Sequence, residues 1–172
     1  MSNNYIDNDK FFSEMKDWKE SVIESRESGD DPPPITEYIG KCFWDIAQHL
    51  SNKSNFCNYP FKDDMIGDAV ENCLMYAHNF DPEKSKNPFS YFTQITYYAF
   101  IRRIEKEKKQ NYIKYKLIDQ LDEEGSVRKW FSTNFGGPDL SESGDDDSLA
   151  NYFSLSKNDI EKFTPKPKKK VK

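Results

Sequence analysis

Phe11, Met15, Trp18 and Val22 recur at intervals of three and four residues. This spacing predicts an amphipathic helix from about Asn8 to Ser28, ended by Gly29-Asp30-Asp31 and a linker, Pro32-Pro33-Pro34. A second stripe, Ile39, Cys42, Phe43, Ile46 and Leu50, predicts a helix from Thr36, a suitable cap, to Asn52. The third, from about Lys62 to Asn79, turns Ile66, Ala69, Val70, Cys73 and Ala77 to one side. It turns Asp64, Gly67, Asp68, Glu71 and Met75 to the other. The fourth begins with Asn87 as cap and Pro88 as first helical residue, and runs towards or past Lys116.

The fourth helix is aromatic on both sides. At 100° per residue, Phe89, Tyr97, Phe100, Ile101 and Ile104 fall together and read as core. Phe92, Ile95, Tyr98, Arg102, Lys106 and Lys109 fall broadly opposite. Rings beside cations hold single-stranded nucleic acid, the bases stacking while the cations take phosphates. The plainer reading is a helix sandwiched between neighbours with a solvated basic end. On the third helix, Asp64, Asp68 and Glu71 are open to the same plain reading, a solvated face.

Charge is segregated. The chain has 172 residues and a net charge of -5, but residues 1–88 hold 17 acidic and 9 basic groups. Residues 89–116 reverse this with seven basic and two acidic, and six lysines without an acid lie from Lys162 onward. An acidic protein with a basic island avoids indiscriminate contact with nucleic acid, yet can hold phosphates where the fold presents that island. Cys42, Cys57 and Cys73 form no C-x-x-C pair, and with His49 and His78 they make no metal-ligand spacing, so neither a disulfide framework nor a metal site is expected. No apolar run reaches the roughly 20 residues of a membrane span, and the polar start Met1-Ser2-Asn3-Asn4 lacks a signal-peptide core. The expectation is an intracellular protein without membrane contact. There is no Gly-rich phosphate loop or serine elbow, and the dense carboxylates lie in a linker; no catalytic residue, cofactor or enzymatic activity is expected.

Asp64-Met65-Ile66-Gly67-Asp68, Asn79-Phe80-Asp81, Phe89-Ser90-Tyr91-Phe92-Thr93 and Arg102-Arg103-Ile104 stand in an order that resembles region two of bacterial sigma factors. His78-Asn79-Phe80-Asp81, Lys86-Asn87-Pro88, Tyr91-x-Thr93-Gln94 and Ala99-Phe100-x-x-Arg103-Ile104-x-Lys106-Glu107-x-Lys109 narrow the resemblance to the short late-transcription sigma factors of T-even-like bacteriophages. The resemblance implies a subunit, in the cytoplasm of the bacterial host, that binds the RNA polymerase core and melts a TATA-like late promoter element. Asp64, Gly67, Asp68, Glu71, Leu74 and Met75 match the positions that grip a coiled coil of the polymerase largest subunit. Phe92 matches the aromatic residue that stacks on a flipped base of the promoter DNA. Arg102 and Arg103 match positions facing DNA just upstream, and Lys106 and Lys109 extend that track. The family's paired tryptophans fall here on Ile95 and Thr96, and its duplex-reading polar residue falls on Ala99. A chain of this length is not expected to hold the helix-turn-helix domain of ordinary sigma factors. In this phage family a short C-terminal motif binds the sliding clamp, which acts with a late co-activator.

The last third is expected to be a flexible, largely disordered arm. Asp139 to Asp147 is acidic and leads into Leu149, Tyr152 and Phe153, an apolar face at i, i+3 and i+4. That word reads either as a clamp-binding peptide or as a last helix packed on the domain, with Ile160 and Phe163 as a second candidate. Trp130, Phe131 and Phe135 form a further apolar cluster with no assigned role, and the ending Lys166-Pro167-Lys168-Lys169-Lys170-Val171-Lys172 reads as nonspecific affinity for DNA or acidic surfaces. The expected architecture is all-α: residues 1–34 as N-terminal helix and linker, 35–120 as the sigma region-two-like domain, and 121–172 as the arm. The competing expectation is a polymerase-binding adaptor or anti-sigma protein that uses the same acidic face without opening DNA.

Overall fold

A computed structural model of the chain describes residues 5–121, 130, 133–134 and 146–165. The described residues form helices and no strands: α1 (Asn8–Ser28), α2 (Glu37–Ser51), α3 (Lys62–Tyr76), a 3₁₀ turn (Ala77–Asn79), α4 (Pro88–Leu121), α5 (Asp146–Tyr152) and α6 (Lys157–Phe163). The chain divides into two compact units, Met1–Arg103 and Ile104–Lys172. The division falls inside α4, not at the expected 34/35 and 120/121 boundaries.

Helix ends follow local chemistry. The Asp7 carboxylate accepts the Asp9 and Lys10 N–H groups at the start of α1. At its other end Gly29 takes the left-handed conformation, φ 79°, and the next residue, Asp30, donates its N–H to the Ser25 carbonyl at 2.8 Å. Thr36 Oγ1 accepts the Ile39 N–H at 3.3 Å and starts α2 as expected. Trp18 Nε1 donates to the Pro33 carbonyl at 3.2 Å, so the proline run folds back along α1. Asn87 Oδ1 accepts the Ser90 N–H at 2.9 Å and starts α4. Asn8 ties the starts of α1 and α4 together, accepting the Phe89 N–H at 3.4 Å.

In the first unit an aromatic cluster gathers Phe11 and Met15 from α1, Ile39, Cys42, Phe43 and Ile46 from α2, Cys73 from α3, Ala77, Phe80, and Phe92 from α4. α1 therefore contributes to the core of this unit. Met65 joins Ile66, Ala69 and Cys73 on the buried side of α3, one residue before the start of the expected stripe, and Val70 is half-buried.

In the second unit, Tyr112, Tyr115 and Ile118 of α4 pack with Leu149, Ala150, Phe153 and Leu155. Lys108 Nζ donates to both Asp159 oxygens at 3.0 and 2.9 Å, and Asp159 closes a capping box with Ser156 at the start of α6. Leu149 and Phe153, expected in an exposed docking word, are buried here. Two apolar side chains on one turn find a ready partner in the tyrosine face of α4, so the packed-helix reading holds for them. Tyr152 is half-buried beside the same cluster, as are Ile160 and Phe163. Phe131, Phe135, the acidic stretch Asp139 to Asp145 and the ending from Lys166 lie outside the described residues; Trp130 is exposed.

Candidate functional site

Two faces of the first unit carry the residues singled out from the sequence. The outward side of α3 exposes Asp64, Gly67, Glu71, Leu74 and Met75 as expected, together with Tyr76. Leu74, Met75 and Tyr76 are 45%, 57% and 43% exposed, three large apolar side chains in succession. Asp63 and Asp64 lie in the first turn of α3, where carboxylates favour the positive end of the helix dipole. That local role accounts for the acids without a partner, but not for the apolar run. Gly67 stands mid-helix, and a Cβ added there meets nothing within 4 Å. The fold has no need of a glycine at a position where alanine would be favoured by about 1 kcal/mol.

Asp68 differs from its neighbours. Its carboxylate receives two hydrogen bonds from Arg103, Nε to Oδ2 at 2.6 Å and Nη2 to Oδ1 at 2.7 Å, with the side chains only 32% and 17% exposed. Asn72 Nδ2 donates to the Asp68 carbonyl at 2.6 Å, and Asn72 Oδ1 accepts from Arg102 Nη2 at 2.7 Å. Asp68 and Arg103, assigned from the sequence to different partners, hold one another between α3 and α4.

Within the first unit the buried arc of α4 includes Phe92, Thr96, Ala99 and Phe100. This corrects the expected orientation, in which Phe92 faced outward and Tyr97 inward. Phe92 is wholly enclosed by rings, 4.4 Å from Phe43, 5.7 Å from Phe11 and 6.0 Å from Phe80 between centroids. Ala99 is buried and Ile95 is half-buried against the same core, so neither presents an open surface. Thr96 is buried, its hydroxyl donating to the Phe92 carbonyl at 2.9 Å with Cys73 Sγ 3.6 Å away. The reason is crowding from three directions: α1, α2 and the Phe80 turn all deliver aromatic side chains to the Phe92 side of α4.

What α4 presents instead is Tyr97 and Tyr98, 41% and 52% exposed, and Arg102. The tyrosines border a groove of ≈ 600 Å³ lined also by Leu50, Lys53, Asn87, Phe89, Ser90, Thr93 and Gln94. The sequence reading placed Tyr98 outward but missed Tyr97 and the groove. The small polar residues Ser90, Thr93 and Gln94, at i, i+3 and i+4, mark the open side of this helix better than its rings do. Lys106 and Lys109 are exposed on the second unit.

Burial holds the Cys73 thiol up at about 11, and the same cause raises Cys42 to about 11 and Tyr38 to about 12. These groups stay protonated at neutral pH, the two thiols within the core and Tyr38 half-buried at its edge. Among the described residues no cluster of three or more His, Cys, Asp or Glu could hold a metal ion, and no helix is long and apolar enough to cross a membrane. The sequence matches no protein-family profile and no curated protein.

Proposed function

We propose that this protein is a sigma-like transcription factor of the phage late class, which binds the bacterial host RNA polymerase core and helps open a TATA-like late promoter element. The observation that carries the reading is the outward side of α3. Leu74, Met75 and Tyr76 stand exposed beside Glu71, Asp64 and a Gly67 that the fold itself does not require. An apolar centre with a charged rim is the composition of a protein-docking patch. In this reading α3 grips the largest-subunit coiled coil, and α4 offers Tyr98 and Arg102 to the melted strand. Base capture is assigned to the exposed tyrosines, since the Phe92 ring is enclosed. The C-terminal unit couples the factor to the sliding clamp and its late co-activator, in the host cytoplasm.

One observation favours a second reading, a polymerase-binding adaptor or anti-sigma protein. Phe92 and Ala99 are buried and Arg103 is engaged by Asp68, so much of the expected DNA track is occupied within the fold. Transcription by bacterial core polymerase from a supercoiled TATA-like late promoter separates the two. The sigma reading expects specific initiation that is lost in Met75→Asp and in Tyr98→Ala. Tight core binding without initiation, unaffected by Tyr98→Ala, would establish the adaptor.

A further inference from the structure

We infer that the outer side of α4 in the second unit is a docking surface for an acidic amphipathic helix of a partner protein. Tyr112, Tyr115 and Ile118 turn inward and fill the core of this unit. Ile113 and Leu117, one turn apart on the opposite side of the helix, are 49% and 55% exposed. They border a groove of ≈ 460 Å³ lined also by Tyr112, Thr164 and Pro165, so the chain just after α6 forms part of it. Aliphatic side chains one turn apart beside a groove are the seat that a second helix fills, by setting its own ridge of side chains into it.

Around this seat the charge has one sign. At 100° per residue Lys106, Lys109, Ile113, Lys114 and Leu117 share an arc of about 140°, and all five side chains are exposed. The acids of the same stretch lie off that arc: Glu105 is held by Lys162, Asp119 by Lys116, and Glu107 is half-buried. An apolar centre rimmed by cations is complementary to an apolar centre rimmed by carboxylates. The same rim turns away a second copy that offers this side of its own α4, since lysine would meet lysine. Nucleic acid would satisfy the lysines but leave Ile113 and Leu117 facing water, and the arc carries no exposed ring on which a base could stack. The surface lies wholly on the second unit, so its partner is independent of what α3 and the Tyr97–Tyr98 groove bind.

The test is fluorescence anisotropy with the full chain and a labelled synthetic peptide of about 18 residues, long enough to form a helix, built of Glu, Ala and Leu with leucines at i, i+4, i+7 and i+11. Saturable binding is expected, weakening as salt is added. A scrambled peptide of the same composition, and one with Lys in place of Glu, should each bind at least about tenfold more weakly. Ile113→Ser with Leu117→Ser should lose at least about tenfold, and Lys109→Gln with Lys114→Gln should lose affinity together with most of the salt dependence. Ile23→Ser removes an equally exposed aliphatic side chain from α1 and should bind as wild type does. Helical circular dichroism identifies any variant that fails to fold, and the lysine pair, changed only at exposed positions, keeps the test decisive if the serine pair does not. No saturable binding, equal binding of the scrambled peptide, or affinity that survives the serine pair overturns the proposal. So does a single-stranded oligonucleotide that binds more tightly than the peptide and loses that binding in the lysine pair, which assigns the surface to nucleic acid. Self-association of the wild type in sedimentation, abolished by the serine pair, assigns it to a second copy and overturns the proposal as well.

Discussion

The Phe92 ring lies 4.4 Å from that of Phe43, and Phe11 and Phe80 close the same cluster at 5.7 and 6.0 Å from Phe92. A ring with no exposed surface is a structural side chain first. Phe92→Ala is expected to destabilise the fold by about 3–5 kcal/mol, the range for deleting an enclosed phenylalanine and leaving part of its cavity. Phe92→Leu, which refills most of the space, should cost much less. Urea denaturation followed by circular dichroism measures both. A Phe92→Ala protein of wild-type stability that nonetheless fails on promoter DNA would return this ring to the DNA face.

The same cluster shows what the sequence could and could not disclose. Helix ends were legible because each is decided by a few neighbouring atoms: Thr36 at the start of α2, Asn87 at the start of α4, Gly29 at the end of α1. The stripes of α1 and α2 were legible because each has one apolar side. α4 has rings nearly all round, and periodicity alone cannot choose which side meets the neighbours. That choice was made by Phe11, Phe43 and Phe80, which arrive from distant parts of the chain. The Asp68–Arg103 bond spans 35 positions and joins two helices, so nothing in either local pattern announces it. Leu149 and Phe153 were ambiguous for a related reason: an apolar turn reads alike whether it docks on a partner or on its own chain.

Gly67 offers a way to separate folding from docking on α3. Adding a methyl group there meets no atom within 4 Å, and the residue sits in the middle of the helix. Gly67→Ala should therefore stabilise the isolated protein by about 1 kcal/mol, from the unfolded chain's lost freedom. If α3 is the docking face and its partner approaches the bare backbone at Gly67, the same substitution should weaken binding to core polymerase. Thermal melting and a core-binding titration on one preparation give the two numbers. A variant both more stable and equally tight would move the closest approach away from this position.

Tyr97 and Tyr98 are expected to behave in the opposite way to Phe92. Both are substantially exposed, so truncation to alanine should leave the unfolding free energy within about 0.5 kcal/mol of wild type. If the groove beside them receives an unpaired base, each truncation should cost about 1–3 kcal/mol of single-strand affinity. The measurement is photocrosslinking and titration of a labelled promoter bubble in the presence of core polymerase. Unchanged affinity in the double variant would leave the groove without a nucleic-acid role.

The three cysteines should react in two classes. Cys57 is exposed, whereas Cys42 and Cys73 are buried with thiols held up at about 11 by that burial. At neutral pH a thiolate-selective reagent needs both access and ionisation, and the two core thiols have neither. One equivalent should label quickly in the native protein and all three in urea, with Cys57→Ser abolishing the fast one. Rapid labelling of Cys73 would show that the α3–α4 packing opens far more readily than its buried contacts imply.

Acid should loosen the second unit through Asp159. Burial by itself would raise that carboxyl, but hydrogen bonds from Ser156 and Lys108 outweigh it and hold the group below its ordinary value. A carboxylate whose folded value lies below its unfolded one binds fewer protons when folded. Its contribution is therefore complete above the unfolded value, about 3.9, and is lost as pH falls from there through the lower folded value. Asp159→Asn removes the titration, and with it the pairing to Lys108 and half of the capping box at the start of α6. The variant should be less stable than wild type at neutral pH, and the gap should close as the solution is acidified through that window. Thermal melts followed by near-ultraviolet circular dichroism, which senses Tyr112 and Tyr115 in this core, would trace it. A gap that stayed constant from neutral to strongly acidic solution would mean that the Lys108–Asp159 contact contributes nothing through its charge.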